Sequence, residues 1–82
     1  MDFAIVTMII PQLGWQEDME LPAKMRISEL IGKIVFTLKN YDNELFGSVS
    51  SITLQYEGKP LNRDLTLADY QIWDGNTIEI LL

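Results

Sequence analysis

The chain has 82 residues, of which 48% are hydrophobic and 22% are charged, and its formal net charge is −6. This composition is typical of a folded protein, and we expect one domain spanning residues 1–82. The acidic charge disfavours nucleic acid and anionic lipid surfaces as partners. Because the sequence contains neither cysteine nor histidine, it excludes disulfides, thiolate catalysis and histidine-based acid–base or metal chemistry.

The first 22 residues predict a β-hairpin. The apolar run from Phe3 to Ile10 is rich in Ile and Val and is followed by Pro11, so it predicts a buried strand. Residues 11–16 predict a turn, and residues 17–21 alternate polar and apolar side chains as a second strand does. The apolar run is too short to span a membrane and no basic segment precedes it. We therefore expect a cytoplasmic protein with no membrane-inserted segment.

Residues 27–41 predict one amphipathic helix. Their apolar side chains follow the spacing of a single helix face, namely Ile27, Leu30, Ile31, Ile34, Val35 and Leu38. Arg26 is a poor N-cap residue, and Gly32 costs about 1 kcal/mol relative to Ala inside a helix. Phe36 points away from the centre of the apolar face, so we expect it either to contact a partner or to pack under the segment that follows the helix.

The second half of the chain predicts three further strands. Residues 42–51 have the composition of a loop, and residues 52–58 alternate as a half-buried strand does. Residues 59–62 can form only a short edge strand because of Pro60. The terminal strand, residues 77–82, should place Ile78, Ile80 and Leu82 on its inner face.

One helix can cover only one face of a sheet, so this order of elements favours an α+β architecture. We expect a β-grasp fold, in which a mixed sheet of four to five strands wraps over one helix. The apolar terminal strand is then best placed at the centre of the sheet, beside the first strand.

Residues 56–82 resemble the C-terminal part of ubiquitin, and the most specific run is Thr66, Leu67, Asp69, Tyr70 and Ile72. The resemblance implies that Leu67 and Ile72 close one end of the core. It also implies that Asp69 caps a short helical turn and that the Tyr70 hydroxyl binds nearby backbone.

Two departures from ubiquitin bear on function. Ubiquitin and the related sulfur carriers end in Gly-Gly, whereas this sequence ends in Ile80-Leu81-Leu82. The positions that match the apolar recognition patch of ubiquitin hold Gln55, Glu79 and Leu81. We therefore expect neither conjugation nor recognition by ordinary ubiquitin-binding domains.

A narrower resemblance rests on residues 21–35 and 67–82 and on the long segment 35–51. These stretches are similar to those of the YukD/EsaB proteins, which are ubiquitin-like accessory components of bacterial type VII secretion systems. The resemblance implies a non-enzymatic adaptor that docks on cytoplasmic parts of the secretion apparatus. Such a protein would be cytoplasmic, or peripheral to the inner face of the cell membrane through protein contacts.

The candidate partner-binding residues are of two kinds. Some are aromatic side chains in unexpected places, and the others are positions on the sheet face. Trp15 and Trp73 lie in predicted turns, where they either anchor a partner or pack against the edge of the core. The full set is Trp15, Phe36, Gln55, Trp73, Glu79 and Leu81.

We predict no catalytic, cofactor-binding or metal-binding residues, because the acidic residues lack the spacing of a calcium loop and no phosphate-binding motif is present. Three alternatives stay open: a covalent modifier or sulfur carrier, a weakly self-associating domain that uses residues 59–62 or Phe36, and an enzyme of unknown type.

Overall fold

A computed structural model describes residues 2–82 and shows a five-stranded mixed sheet that packs against one main helix. The elements are β1 (Phe3–Ile10), β2 (Trp15–Pro22), α1 (Ile27–Tyr41), α2 (Asn43–Phe46), β3 (Thr53–Tyr56), β4 (Lys59–Pro60) and β5 (Thr77–Leu81). The strand order is β2-β1-β5-β3-β4, and β5 lies parallel to β1 while the other neighbours are antiparallel. The predicted β-grasp fold and the central place of the last strand are confirmed.

The β1–β2 hairpin is buried on one face only. The inward residues Ala4, Val6, Met8 and Ile10 are fully buried, whereas Phe3 and Ile5 are 52% and 49% exposed. The prediction of a buried strand therefore holds for one face of β1 and is wrong for the other. The reason is that α1 covers one face of the sheet, so the outward apolar residues of β1 have no layer to pack against.

Helix α1 has the predicted bounds, and all six residues of its apolar face are buried. Its first turn is not capped by a side chain, as the poor N-cap residue Arg26 predicts. Instead the Ile27 N–H donates to the Leu65 carbonyl at 2.8 Å, and the Ser28 N–H donates to the Arg63 carbonyl at 3.0 Å. A distant loop thus satisfies the free N–H groups that every helix start presents.

The segment after α1 contains a structural element that the sequence does not predict. The Asp42 carboxylate accepts a hydrogen bond from the Leu45 N–H at 3.0 Å and so caps the short helix α2. This helix places Phe46 in the core, where it is fully buried. A helix of four residues is too short to show a hydrophobic period, which explains why residues 42–51 resemble a plain loop.

Strands β3 and β4 form a hairpin through Glu57 and Gly58. Both residues have positive φ angles, 51° and 79°, which is the requirement of a two-residue type I′ turn. Strand β4 has two residues, since Pro60 cannot donate to a ladder. The edge strand is therefore shorter than the predicted segment 59–62.

The loop before β5 is held by its own side chains, as the resemblance to ubiquitin implies. Thr66 and Asp69 bond each other's backbone N–H groups at 2.9 and 3.1 Å, which caps the turn Ala68–Tyr70. The Tyr70 hydroxyl accepts a hydrogen bond from the Asn62 N–H at 2.7 Å. Leu67 and Ile72 are fully buried. The loop thus closes one end of the core.

Strand β5 places Ile78 and Ile80 in the core, as predicted, but Leu82 is 45% exposed. The expectation that Leu82 faces inward was wrong. Pairing of β5 with β3 reaches only as far as Leu81, opposite Thr53. Leu82 therefore lies beyond the part of the sheet that packs against the core.

Candidate docking surfaces

Three of the predicted partner-binding residues lie together on the outer face of the sheet. Gln55 on β3 is directly opposite Glu79 on β5, and Leu81 follows Glu79 on the same face. On the other side of Glu79 lies Ile9 of β1. Gln55, Glu79 and Leu81 are each half-buried, and this surface has Gln55 and Glu79 at its centre with the apolar Leu81 and Ile9 at its margins.

Phe36 lies on the opposite side of the molecule, on the helix layer. Its side chain is 68% exposed, so it does not pack under the segment that follows α1. It lines a groove of about 310 Å³ between α1 and the end of β2, together with Phe3, Glu20, Leu21, Pro22, Lys33 and Thr37. We call this the Phe36 groove.

Trp15 contributes to the core margin more than to a free surface. Its ring makes edge contacts with Tyr41 at 5.7 Å and with Phe46 at 5.8 Å between centroids. The Tyr41 hydroxyl in turn donates to the Glu17 carboxylate at 3.3 Å. Trp15 therefore joins the first strands to the end of α1, and only part of its side chain can meet a partner.

Trp73 is half-buried in the loop that leads into β5. The backbone N–H of Trp73 donates to the side-chain oxygen of Asn76 at 2.7 Å, and the carboxylate of the next residue, Asp74, accepts from the Ile5 N–H at 2.7 Å. The first bond closes the loop on itself, and the second ties it to β1. The predicted residues thus occupy separate regions, and only Gln55, Glu79 and Leu81 share a patch.

Sequence reasoning did not identify Phe3 and Ile5 as surface residues. Both are among the exposed large apolar side chains, and Phe3 lines the Phe36 groove. A strand with one buried face normally alternates apolar and polar residues. Strand β1 does not show this alternation, because its outward positions are also mostly apolar. The prediction of a single covering helix was the one signal that could have indicated their exposure.

Within residues 2–82 no group of three acidic side chains is placed to hold a metal ion. Partial burial, and then the neighbouring Glu57 carboxylate, raise the pKa of Tyr56 above its ordinary value of 10.0. A second, open cavity of about 190 Å³ lies beside the end of β5, and it is lined by Ser51, Ile52, Thr53, Arg63, Leu81 and Leu82.

No helix in the described part of the chain is long and apolar enough to cross a membrane. No curated protein sequence matches the chain. Solved structures do match it, at identities that show the fold alone. The EccD5 ubiquitin-like domain from Mycobacterium xenopi superposes with a TM-score of 0.77 at 22% identity, covering 98% of this chain and 94% of that one.

Two further structures match the chain, and the first of them comes from a type VII secretion system. The ubiquitin-like domain of ECCD1 from Mycobacterium tuberculosis has a TM-score of 0.76 at 21% identity, with both chains covered completely, 100% each. A chain of the ESX-5 inner membrane complex without MycP5 has a TM-score of 0.78 at 19% identity, covering 98% of this chain and 21% of that one.

The family assignment rests on a match in sequence. The model of the protein YukD of the WXG100 protein secretion system (Wss) matches residues 3–80, which include both α-helices and every strand described above except the last residue of β5, Leu81. The chain therefore belongs to the YukD family and has the ubiquitin-like fold.

Proposed function

We propose that the chain is a non-enzymatic adaptor of a WXG100 (type VII) secretion system, and that it acts by docking on cytoplasmic parts of the apparatus. Membership of the YukD family supports the link to secretion. The observation that carries the docking role is the exposure of Phe36, which is 68% exposed on the helix layer. A large aromatic side chain beside a groove is a common anchor in protein interfaces.

The energy available at Phe36 is sufficient for such an anchor. Covering the exposed part of its side chain removes roughly 100–150 Å² of apolar surface from water. At about 25 cal/mol per Å², this burial contributes roughly 2.5–3.8 kcal/mol to binding. Phe3 and Pro22 extend the same apolar surface. Phe36 is therefore the residue whose truncation should weaken docking most.

The remaining predicted residues receive secondary roles in this proposal. Gln55, Glu79 and Leu81 form a second, polar contact surface on the outer face of the sheet, while Trp15 and Trp73 mainly hold the hairpin and the last loop in place. The net charge of −6 favours a basic partner surface. The relative in the ESX-5 inner membrane complex supports a location at the inner face of the membrane, reached through protein contacts.

Affinity purification of the secretion apparatus tests this proposal. Tagged wild-type chain should co-purify identified apparatus components, and Phe36→Ala should recover much less of them. Leu13→Ala is the matched control, because Leu13 is also exposed, at 42%, but lies in the turn between β1 and β2. Equal recovery by wild type and Phe36→Ala would remove Phe36 from the docking surface, and recovery of no apparatus component by any variant would refute the adaptor role.

A further inference from the structure

Strand β2 is one of the two outer strands of the sheet and has an unpaired backbone edge. The Ala23 N–H donates to the Asp2 carbonyl at 2.9 Å, and the register pairs Phe3 with Pro22. Hydrogen-bonded pairs alternate along an antiparallel ladder, so the next bonded pairs are Ala4 with Leu21 and Val6 with Met19. The residues between them must direct their N–H and C=O groups away from β1.

Those edge residues are Gln16, Asp18 and Glu20. In the part of the chain that the structure describes, none of their backbone groups takes part in a hydrogen bond outside the hairpin. The opposite edge of the sheet is β4, which has two residues and includes Pro60. The edge of β2, eight residues long, is therefore the longer of the two open edges.

The Phe36 groove lies beside this edge, between Glu20–Pro22 and α1. A strand added to β2 would point every second side chain toward α1 and the others toward the outer face. The first set would enter the groove and contact Phe36. The second set would lie beside the side chains of Asp18 and Glu20, which are exposed on the outer face.

The charges at this edge indicate which kind of strand can bind beside β2. Glu17, Asp18 and Glu20 lie within four positions of one another on β2, and Lys33 is the single basic residue among those that line the groove. A second copy of the chain would place acidic side chains opposite acidic side chains, which is unfavourable across a pair of strands. A strand with alternating apolar and basic residues is complementary in both shape and charge.

We propose that β2 and the Phe36 groove bind an extended segment of a partner protein by strand addition, with apolar side chains facing Phe36 and Lys or Arg side chains facing Asp18 and Glu20. Main-chain hydrogen bonds supply affinity in this mode, and the alternate side chains supply specificity. The inference depends on the proposed adaptor role only for the source of the segment, since the geometry requires no particular partner.

The test uses the full chain, isotopically labelled, and short synthetic peptides that alternate Lys with Val. Addition of the peptide should shift the NMR signals of residues 16–22 and 33–37 and should slow amide exchange at Gln16, Asp18 and Glu20. A peptide that alternates Glu with Val is the matched control and should bind at least about tenfold more weakly because of the acidic edge.

Two substitutions separate the backbone and charge contributions. Glu20→Pro removes an edge N–H that the β1–β2 ladder does not use, so the fold should be retained while peptide binding falls about tenfold or more. Glu20→Lys keeps the N–H and reverses the charge, and it should weaken binding of the Lys-Val peptide about tenfold. Glu20→Lys therefore tests the proposal even if the Glu20→Pro variant fails to fold.

Three results would overturn the inference: signal changes confined to other surfaces, equal binding of the two peptides, or no binding at millimolar peptide. A dimer that forms through β2, detected by sedimentation and by intermolecular contacts in the NMR spectra, would also contradict it. Failure of peptide binding together with normal recovery of the secretion apparatus would reject strand addition and leave the adaptor role intact. If the peptide binds but no component of the apparatus is recovered, the adaptor role is rejected and strand addition is retained.

Discussion

Replacement of Phe46 by Ala tests the packing that joins both helices to the first hairpin. The side chain is fully buried, and its ring lies 5.8 Å from that of Trp15 at an angle of 82°. Truncation of a buried Phe to Ala costs about 3–5 kcal/mol, because transfer energy is lost and a cavity is left. At about 0.05–0.15 kcal/mol per residue, a chain of this size has a total stability of roughly 4–12 kcal/mol, so Phe46→Ala should lose a large part of it.

Urea unfolding followed by circular dichroism and tryptophan fluorescence measures this loss. With an m-value of about 1–1.5 kcal/mol per molar urea, the midpoint should fall by at least roughly 2 M. If the Ala variant is unfolded in water, Phe46→Leu should still fold, with a loss of about 1–1.5 kcal/mol. Leu45→Ala is the control, since Leu45 is 44% exposed. Losses of equal size for Phe46→Ala and Leu45→Ala would refute the assignment of Phe46 to the core.

Three other substitutions test single features of the fold. Gly32→Ala should stabilise the chain by about 1 kcal/mol, because the position is helical and a Cβ atom there meets nothing within 4 Å. Glu57→Asn should stabilise the type I′ turn by about 0.5 kcal/mol and should lower the raised pKa of Tyr56 by removing the Glu57 carboxylate. Because the folded-state pKa of Tyr56 lies above 10.0, its contribution to stability is complete below that pH and is lost as the pH rises through the folded-state value. Tyr70→Phe should cost about 1 kcal/mol, since the Asn62 N–H loses its acceptor at 2.7 Å.

Thermal unfolding of each variant beside the wild type provides the stability measurements, and absorbance titration of the tyrosines provides the pKa. A lower melting temperature for Gly32→Ala would contradict the open surroundings of that position. An unchanged alkaline titration in Glu57→Asn would mean that the Glu57 carboxylate does not act on Tyr56. A Tyr70→Phe variant as stable as the wild type would show that the Asn62 N–H donates to water instead, without loss of stability.

Local patterns were enough to predict the main helix and the sheet topology. The apolar spacing from Ile27 to Leu38 predicts a helix with one buried face. The structure shows that helix with the predicted bounds. The loop that contains Leu67, Tyr70 and Ile72 was predictable because its residues resemble those of ubiquitin, and each contact that the resemblance implied is present.

The remaining differences have a common physical origin, since they depend on which layers cover a residue. The burial of Phe46 depends on α2, which is too short to leave a periodic signal. The exposure of Phe3 and Leu82 depends on where the single helix layer ends. A sequence pattern reports the period of one element, whereas coverage by a distant element is a property of the assembled fold.

The candidate site was less predictable than the fold. The angular position of Phe36 on α1 predicted that it lies away from the core face, and it is exposed. Trp15 was expected either to anchor a partner or to pack against the edge of the core, and it packs on Tyr41 and Phe46. The edge of β2 became visible only when the strand order was known, because backbone groups are unpaired by topology and not by residue type.

Photo-crosslinking at position 36 in cells that contain the secretion system tests the adaptor role most directly. Phe36 is replaced by a photoreactive phenylalanine analogue, and Leu13 carries the same analogue as the matched control. The adaptor role requires a covalent adduct at position 36 that mass spectrometry identifies as a component of the secretion apparatus, with much less adduct at position 13. Adducts of equal yield at both positions, or adducts at position 36 that contain no component of the apparatus, would contradict it.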